Sequence, residues 1–440
     1  MRGVALALLL LVISGCTTPR WQTTRQPDVL DAAELLASNA LGLRRDERPE
    51  EVPRVPVRTR LRPCCAFGSA LRVRVGAVAV PGFQIANILS PDDIGRHAYD
   101  AGRVGSSVAA EREKNGLVYT CRGGFIDTAH VRDYADWTLY LATQIGRQLE
   151  SGGLVELPER EGGTRRIRIH PVDPELVDVH GRRDLTAALA VWLGYQLSVW
   201  HEIATWYGWS YVEAFPELAS AFSPEDLYSN LLGAKLAGPI ITSGNDLSET
   251  LFNRAIDAWF AQSLEFLGGV DADLGEAVMA EVDQVWWDSG ARLPDADLVL
   301  RRNLQVGARI EPWVVPEKDL SPDLRERLDA TCSEGRQAHA LRLPSRVPGL
   351  DFDDVLSFEI ELDRDLARDE ALGDLAPVVR HTDFPRIIER IRGEVRAEYG
   401  PLGDSPEPRP AGVHPDEAPW PTADAPPRAG AGAADRTAAP

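Results

Sequence analysis

Residues 184–206 read Asp184-Leu-Thr-Ala-Ala-Leu-Ala-Val-Trp-Leu-Gly-Tyr-Gln-Leu-Ser-Val-Trp-His-Glu-Ile-Ala-Thr-Trp206, with apolar side chains at nearly every position of one helical turn after another. A helix that is apolar all round belongs inside a core rather than on its surface. The stretch therefore predicts an α+β, mainly helical fold in which a buried central helix packs against several others and a few short strands. Ser198, His201, Glu202 and Thr205 interrupt it at spacings of three and four, which places them on adjoining stripes of one side. Burying an uncompensated polar group costs about 2–7 kcal/mol, and a charge more. A partner, a proton or a metal must therefore meet the His201-Glu202 pair.

Upstream, Met1-Arg2, the apolar run Val4–Ile13 and Ser14-Gly15-Cys16 have the layout of a secretory signal, too short to span a bilayer as a mature helix. Ile13-Ser14-Gly15-Cys16 is similar to the lipobox of bacterial lipoproteins. Residues 1–15 are accordingly expected to be a signal peptide and Cys16 a lipidated (palmitate-bearing) N-terminus, an anchor whose membrane affinity grows by about 0.8 kcal/mol per buried CH₂. Thr17 stands where an Asp would favour inner-membrane retention, so the expected location is the outer membrane, facing the periplasm.

Residues 16–61 mix Pro, Arg and Glu around one amphipathic stretch, Val29–Leu43, and read as a tether carrying a docking helix. Residues 62–402 read as a single globular domain. Residues 403–440 are Pro/Ala-rich with hardly an aliphatic side chain, a composition that cannot offset ordering entropy. A formal charge of −20 argues against a nucleic-acid partner.

With Cys16 lipidated, Cys64, Cys65, Cys121 and Cys332 remain, an even number suited to two disulfides in an exported protein. Adjacent cysteines bridge each other poorly, so Cys64 and Cys65 are each expected to reach one of Cys121 and Cys332. The alternatives are a reactive Cys121 near His130 and a thiolate metal site.

Alternation of period two marks strands at Leu71–Val80 (ended by Pro81-Gly82), Leu117–Cys121, Arg165–His170 and Leu356–Leu362. Asp127 is placed to cap a helix running to about Leu149, and Ser223-Pro224-Glu225-Asp226 to open another reaching about Ala237. Further helices are predicted at about Ser248–Leu267, Asp273–Trp287 and Phe384–Tyr399.

Four segments, Arg62-Pro-Cys-Cys-Ala-Phe-Gly68, Gly124-Phe-Ile-Asp-Thr-Ala-His-Val-Arg-Asp-Tyr-Ala-Asp-Trp137, the run Trp200-His201-Glu202 to Gly208, and Phe222–Asn230, resemble a family of bacterial lipoproteins classed as a domain of unknown function. The likeness spans roughly residues 60–400. It implies the lipid anchor and brings no activity with it.

Chemistry is therefore read from the residues. His201-Glu202 matches the first half of the H-E-x-x-H zinc motif, but Thr205 occupies the place of the second His. A metal-dependent hydrolase then needs ligands from other helices: His130 as second imidazole, Asp133 or Asp226 as carboxylate, and Glu202 as general base, around zinc or another divalent metal. The alternative is a structural polar network, with Asp127 and Asp226 merely capping, Asp133 paired to Arg132 or Arg122, and His201 and Glu202 bonded to Ser198, Thr205 or a Tyr hydroxyl. A non-catalytic lipoprotein binding an envelope glycan, lipid or protein partner would use the aromatic cluster Trp192, Trp200, Trp206, Tyr207, Trp209 and Tyr211.

Overall fold

The computed structural model of this 440-residue chain describes residues 26–38, 55–58, 62, 67–68, 71–75, 78–85, 87–101, 113–158, 160–210, 220–244, 246, 248–292 and 297–406. The helices used below are α1 (Val29–Ala37), α2 (Thr128–Gln148), α3 (Pro174–His180), α4 (Arg182–Trp206), α5 (Asp226–Ser243), α6 (Glu249–Leu267), α7 (Ala272–Glu281) and α8 (Pro322–Thr331). A last helix spans Phe384–Tyr399, as its sequence predicts. The protein is α+β and mainly helical.

The central helix is α4, and nearly all of its side chains are buried. It packs on α2 and α5, which also pack on each other, so three helices share one interior. Two glycines let them close. A Cβ on Gly194 of α4 would sit 2.6 Å from Thr138 Oγ1 of α2, and one on Gly233 of α5 would sit 2.1 Å from the Val131 carbonyl oxygen. Helix axes approach this closely only where the side chain between them is a hydrogen atom. Among the described residues no helix is long and apolar enough to cross a membrane.

The largest sheet is antiparallel, with strand order Val378–Arg380, Leu356–Leu362, Gly163–Ile169, Gly153–Glu156. Both central strands alternate. Ile167, Ile169, Phe358 and Ile360 face inward, while Arg168 and Glu361 face solvent. Trp200 of α4 stacks on Phe384 of the last helix, and Phe358 of the sheet meets the same ring edge-on. The late strand Leu356–Leu362 thereby ties the sheet to the helical core.

Several expectations need correction. Leu71–Val75 and Val78–Ile85 form an antiparallel pair, so the first strand is a hairpin whose second arm runs through Pro81-Gly82. Helix α5 continues through Pro239 to Ser243, past Ala237. Helix α7 stops at Glu281, and Trp287 opens a strand instead. The segment after Gly403 is ordered at its start, because the Gly403 carbonyl accepts from Arg302 N and the Pro406 carbonyl from Trp286 Nε1. Of the predicted docking helix Val29–Leu43, Val29–Ala37 is helical, capped by Asp28, and packs on α6 and α5; residues 39–43 lie outside the described residues.

Cys121 bonds to Cys332, across a sequence separation of 211. The expected pairing of these two with Cys64 and Cys65 is therefore wrong. The turn after Leu117–Thr120 lies against the C-terminal end of α8, a juxtaposition that spacing cannot reveal. Cys64 and Cys65 lie outside the described residues, as do residues 1–25 with Cys16, and the tail from 407. A disulfide-bonded Cys121 is not a nucleophile, so the thiol-hydrolase reading ends here.

Candidate metal centre

The site forms where the N-terminal ends of α2 and α5 meet the C-terminal end of α4. Asp127 caps α2, accepting from Ala129 N at 2.7 Å and His130 N at 3.1 Å. Its own N–H donates to Ser229 Oγ of α5 at 2.9 Å, which pins the two helices together. His130 follows in the first turn of α2, and His201 and Glu202 lie in the last turns of α4.

The chain enters α5 through a clamped loop. Arg302 Nη1 donates to the Ala221 carbonyl (2.7 Å), Asn303 N to the Phe222 carbonyl (2.9 Å) and Asn303 Nδ2 to the Pro224 carbonyl (3.1 Å). Phe222 adopts φ +56°, a conformation costly for a bulky side chain, and its N–H donates to Glu202 Oε2 at 2.9 Å. The Ser223 hydroxyl turns to the Ser220 carbonyl instead of capping α5, while Ser223 N donates to Asp226 Oδ2 at 2.6 Å. Only the return half of the predicted capping box is present.

One potential ligand atom from each of His130, His201 and Glu202 lies within 4.8 Å of the others. The two rings meet edge to face, with centroids 6.4 Å apart. His130 Nδ1 is 3.2 Å from Asp226 Oδ1, and His201 Nδ1 is 3.7 Å from Glu161 Oε1. His130 and Glu202 are buried, whereas the His201 side chain retains 13% of its exposure and so marks the open side. Trp209 stands edge-on to that ring at 5.7 Å.

Charge in this interior is unbalanced. Burial, and then the Asp226 carboxylate, pushes the Glu202 carboxyl up to about 7, against the opposing pull of His201 and His130. Burial and the carboxylates of Asp226 and Asp127 hold Glu225 well above the ordinary carboxylate range. Neither Glu225 oxygen has a hydrogen-bond partner among the described residues. The principal charges acting on Glu202 and Glu225 are carboxylates and imidazoles, with no Lys or Arg among them. Buried anions without a cation call for protons or a metal. Two imidazoles and a carboxylate oxygen are a donor set suited to zinc and its divalent neighbours.

Of the residues predicted for the site, His130, His201, Glu202 and Asp226 come together. Asp133 does not. Its Oδ1 accepts from Arg58 Nη2 (2.9 Å) and Arg62 Nη1 (2.8 Å), and its Oδ2 from Arg62 N (2.9 Å). A step of three residues turns a side chain about 60° around the helix, enough to carry Asp133 off the His130 face and toward the segment holding these arginines. Arg132 instead donates to the carbonyls of Ile94 and Lys114, and Arg122 pairs with Glu334.

Glu161 and Glu225 carry no site signal in the sequence. Glu225 lay in plain view inside a predicted cap, where an acidic residue reads as dipole compensation. Asn230, at the end of the Phe222–Asn230 segment, donates from Nδ2 to Glu202 Oε1 at 3.4 Å. Ser198 bonds within its own helix, to the Tyr195 carbonyl. Of the aromatic cluster, Trp192, Trp200 and Trp206 are core residues, Tyr207 is half-buried, Trp209 is half-buried beside His201, and Tyr211 lies outside the described residues.

Fold and site together define a mainly helical α+β protein with an interior His/carboxylate group able to hold a metal ion. The chain belongs to the family described as "Protein of unknown function (DUF4056)", whose model matches residues 52–316. No curated protein and no solved structure matches it.

Proposed function

We propose that this chain is a metal-dependent hydrolase of the cell envelope, tethered to the outer membrane through a lipidated Cys16, with its site facing the periplasm. The observation that carries the metal reading is the approach of His130, His201 and Glu202 to within 4.8 Å in a buried, carboxylate-rich interior. These three residues hold zinc or another divalent ion. Such an ion lowers the pKa of a bound water and polarises a carbonyl or phosphoryl oxygen.

Glu202, read from sequence as the general base, lies in ligand range. Its carboxyl, pushed up to about 7, takes up or releases a proton near neutral pH, whereas Glu225, held well above the ordinary carboxylate range, is a proton donor there. Asp226 approaches His130 Nδ1 and supports that ring. Trp209, on the open side with His201, offers an apolar ring face on which an envelope glycan, lipid or protein partner can rest.

The test is elemental analysis of the chain purified without chelators or a metal-binding tag, followed by chelation and readdition. About one zinc or other transition metal per chain is expected. Chelation should lower the melting temperature and abolish turnover of a panel of ester, amide and phosphoester substrates, and zinc should restore both. At free metal a thousandfold above Kd the bound ion contributes about 4 kcal/mol. A metal-free chain whose melting point ignores both chelator and zinc would sink the metal reading, and metal without any turnover would reduce the site to a structural one. The anchor is tested by mass spectrometry of the mature N-terminus: acyl chains on Cys16, lost in Cys16→Ser, are expected, and an unmodified or uncleaved N-terminus would overturn it.

A further inference from the structure

We infer that Asp226 and Glu161 are positioning residues, each holding Nδ1 of one imidazole so that His130 and His201 both present Nε2 to the ion. The inference rests on the metal reading above and adds two carboxylates to it. A neutral imidazole carries one proton, and whichever nitrogen donates it to a carboxylate leaves the other as the ligand. The hydrogen bond behind the ring therefore decides which atom faces the metal.

Both carboxylates sit behind a ring and are fixed by their second oxygen. Asp226 Oδ1 lies 3.2 Å from His130 Nδ1, while Oδ2 accepts from Ser223 N at 2.6 Å. Glu161 Oε1 lies 3.7 Å from His201 Nδ1, in ion-pair range and one small ring rotation from a hydrogen bond, while Oε2 accepts from Arg165 Nη1 at 2.6 Å. The Glu161 carbonyl also accepts from Trp200 Nε1 at 2.8 Å, one residue before His201. The helix that carries the imidazole thus holds its support. Asp226 and Glu161 are both buried, and among the described residues neither joins the group of mutually close ligand atoms.

Asp226→Asn is the sharper substitution. Its amide oxygen can still accept from Ser223 N, which preserves the entry to α5, but its NH₂ now faces His130 Nδ1. The ring must then accept at Nδ1 and carry its proton on Nε2, the atom required by the ion. Glu161→Gln keeps an acceptor for Arg165 and offers the same inversion to His201.

The experiment uses the full chain loaded with zinc, with affinity measured by competition against a chromogenic chelator. Imidazole nitrogen NMR on the metal-free protein reads the tautomers. Each variant should bind zinc about 10–100-fold more weakly, with the proton of the affected ring moved from Nδ1 to Nε2 and the metal-free melting point close to that of wild type. Wild-type zinc affinity in both variants, or unchanged tautomers, would overturn the inference. A merely structural role would lower the melting point without moving the tautomer, and that outcome also counts against it. Should Asp226→Asn fail to fold, Glu161→Gln decides alone. Wild-type chain that binds no zinc would instead defeat the metal reading itself.

Discussion

Replacing Asp136 by alanine is expected to lower the unfolding free energy by about 3–5 kcal/mol, the usual result of removing one partner from a buried ionic network. Asp136 is fully buried on α2, where its Oδ2 accepts from Arg62 Nη1 (2.9 Å) and Asp100 N (3.0 Å), and its Oδ1 lies 2.9 Å from His97 Nε2. The same network holds Arg58 and Arg62 on Asp133, and Arg62 and His97 on Glu113. Arg58 and Arg62, the segment 97–100, Glu113 and α2, distant in sequence, meet there. Truncation leaves Arg62 and His97 buried with one anion fewer, and their desolvation goes unanswered.

The pH dependence has a defined sign. Burial would lower the His97 pKa, but Asp136 and then Glu113 outweigh it and raise the pKa above its ordinary 6.5. The stabilisation from protonated His97 is complete below pH 6.5 and is lost as pH rises through the raised folded value. Burial would raise the Asp136 carboxyl, yet His97 and Arg62 hold it below 3.8, so its own contribution is complete above that pH and lost in stronger acid. The gap between wild type and Asp136→Ala should therefore be larger near pH 6 than near pH 9. Urea unfolding at the two pH values measures it, and a variant within about 1 kcal/mol of wild type at pH 6 would refute the network's role.

His201→Ala is expected to take metal content from about one ion per chain to background while leaving the metal-free fold nearly intact. His201 is the least buried of the three proposed ligands, and its loss removes ring contacts with Trp209 and His130 and the approach to Glu161. The fall in zinc affinity should exceed the 10–100-fold expected for a supporting carboxylate, since a direct ligand is lost. Competition titration beside thermal melting separates the two effects. Retained zinc in a well-folded His201→Ala protein would exclude His201 as a ligand.

The sequence made some of this legible for identifiable reasons. Residues 184–206 betray a core helix because apolar side chains run all round it and its main polar interruption, Ser198 to Thr205, is confined to one side of its last turns. Asp127 declares its cap, and Leu356–Leu362 its strand, because both signals are local. The site residues of α4 and the first turn of α2 could be named because a His beside a Glu in an apolar run demands compensation.

What depends on distant contact was not readable. Alternation marks Gly163–Ile169 and Leu356–Leu362 as strands without saying that they pair. Asp133 reads as a ligand beside His130 because nothing in the tether-like residues up to 61, or in Arg62 at the head of the domain, announces two arginines destined for burial. Glu161, 40 residues before His201, has no motif at all. Its role exists only once the connection between strands Gly153–Glu156 and Gly163–Ile169 folds over Trp200.

The Cys121–Cys332 bond and the strand pairing have one further consequence for where this protein can be cut. The family match ends at residue 316, yet Cys332 and two of the four strands of the largest sheet lie beyond it. A chain truncated at that boundary would lose the partner of Gly163–Ile169 along all seven of its residues. It would present a bare sheet edge and an unpaired thiol, the two features by which chains most readily join to one another. The smallest piece that folds without aggregating therefore runs past the segment that defines the family, to the docking of Pro406 on Trp286.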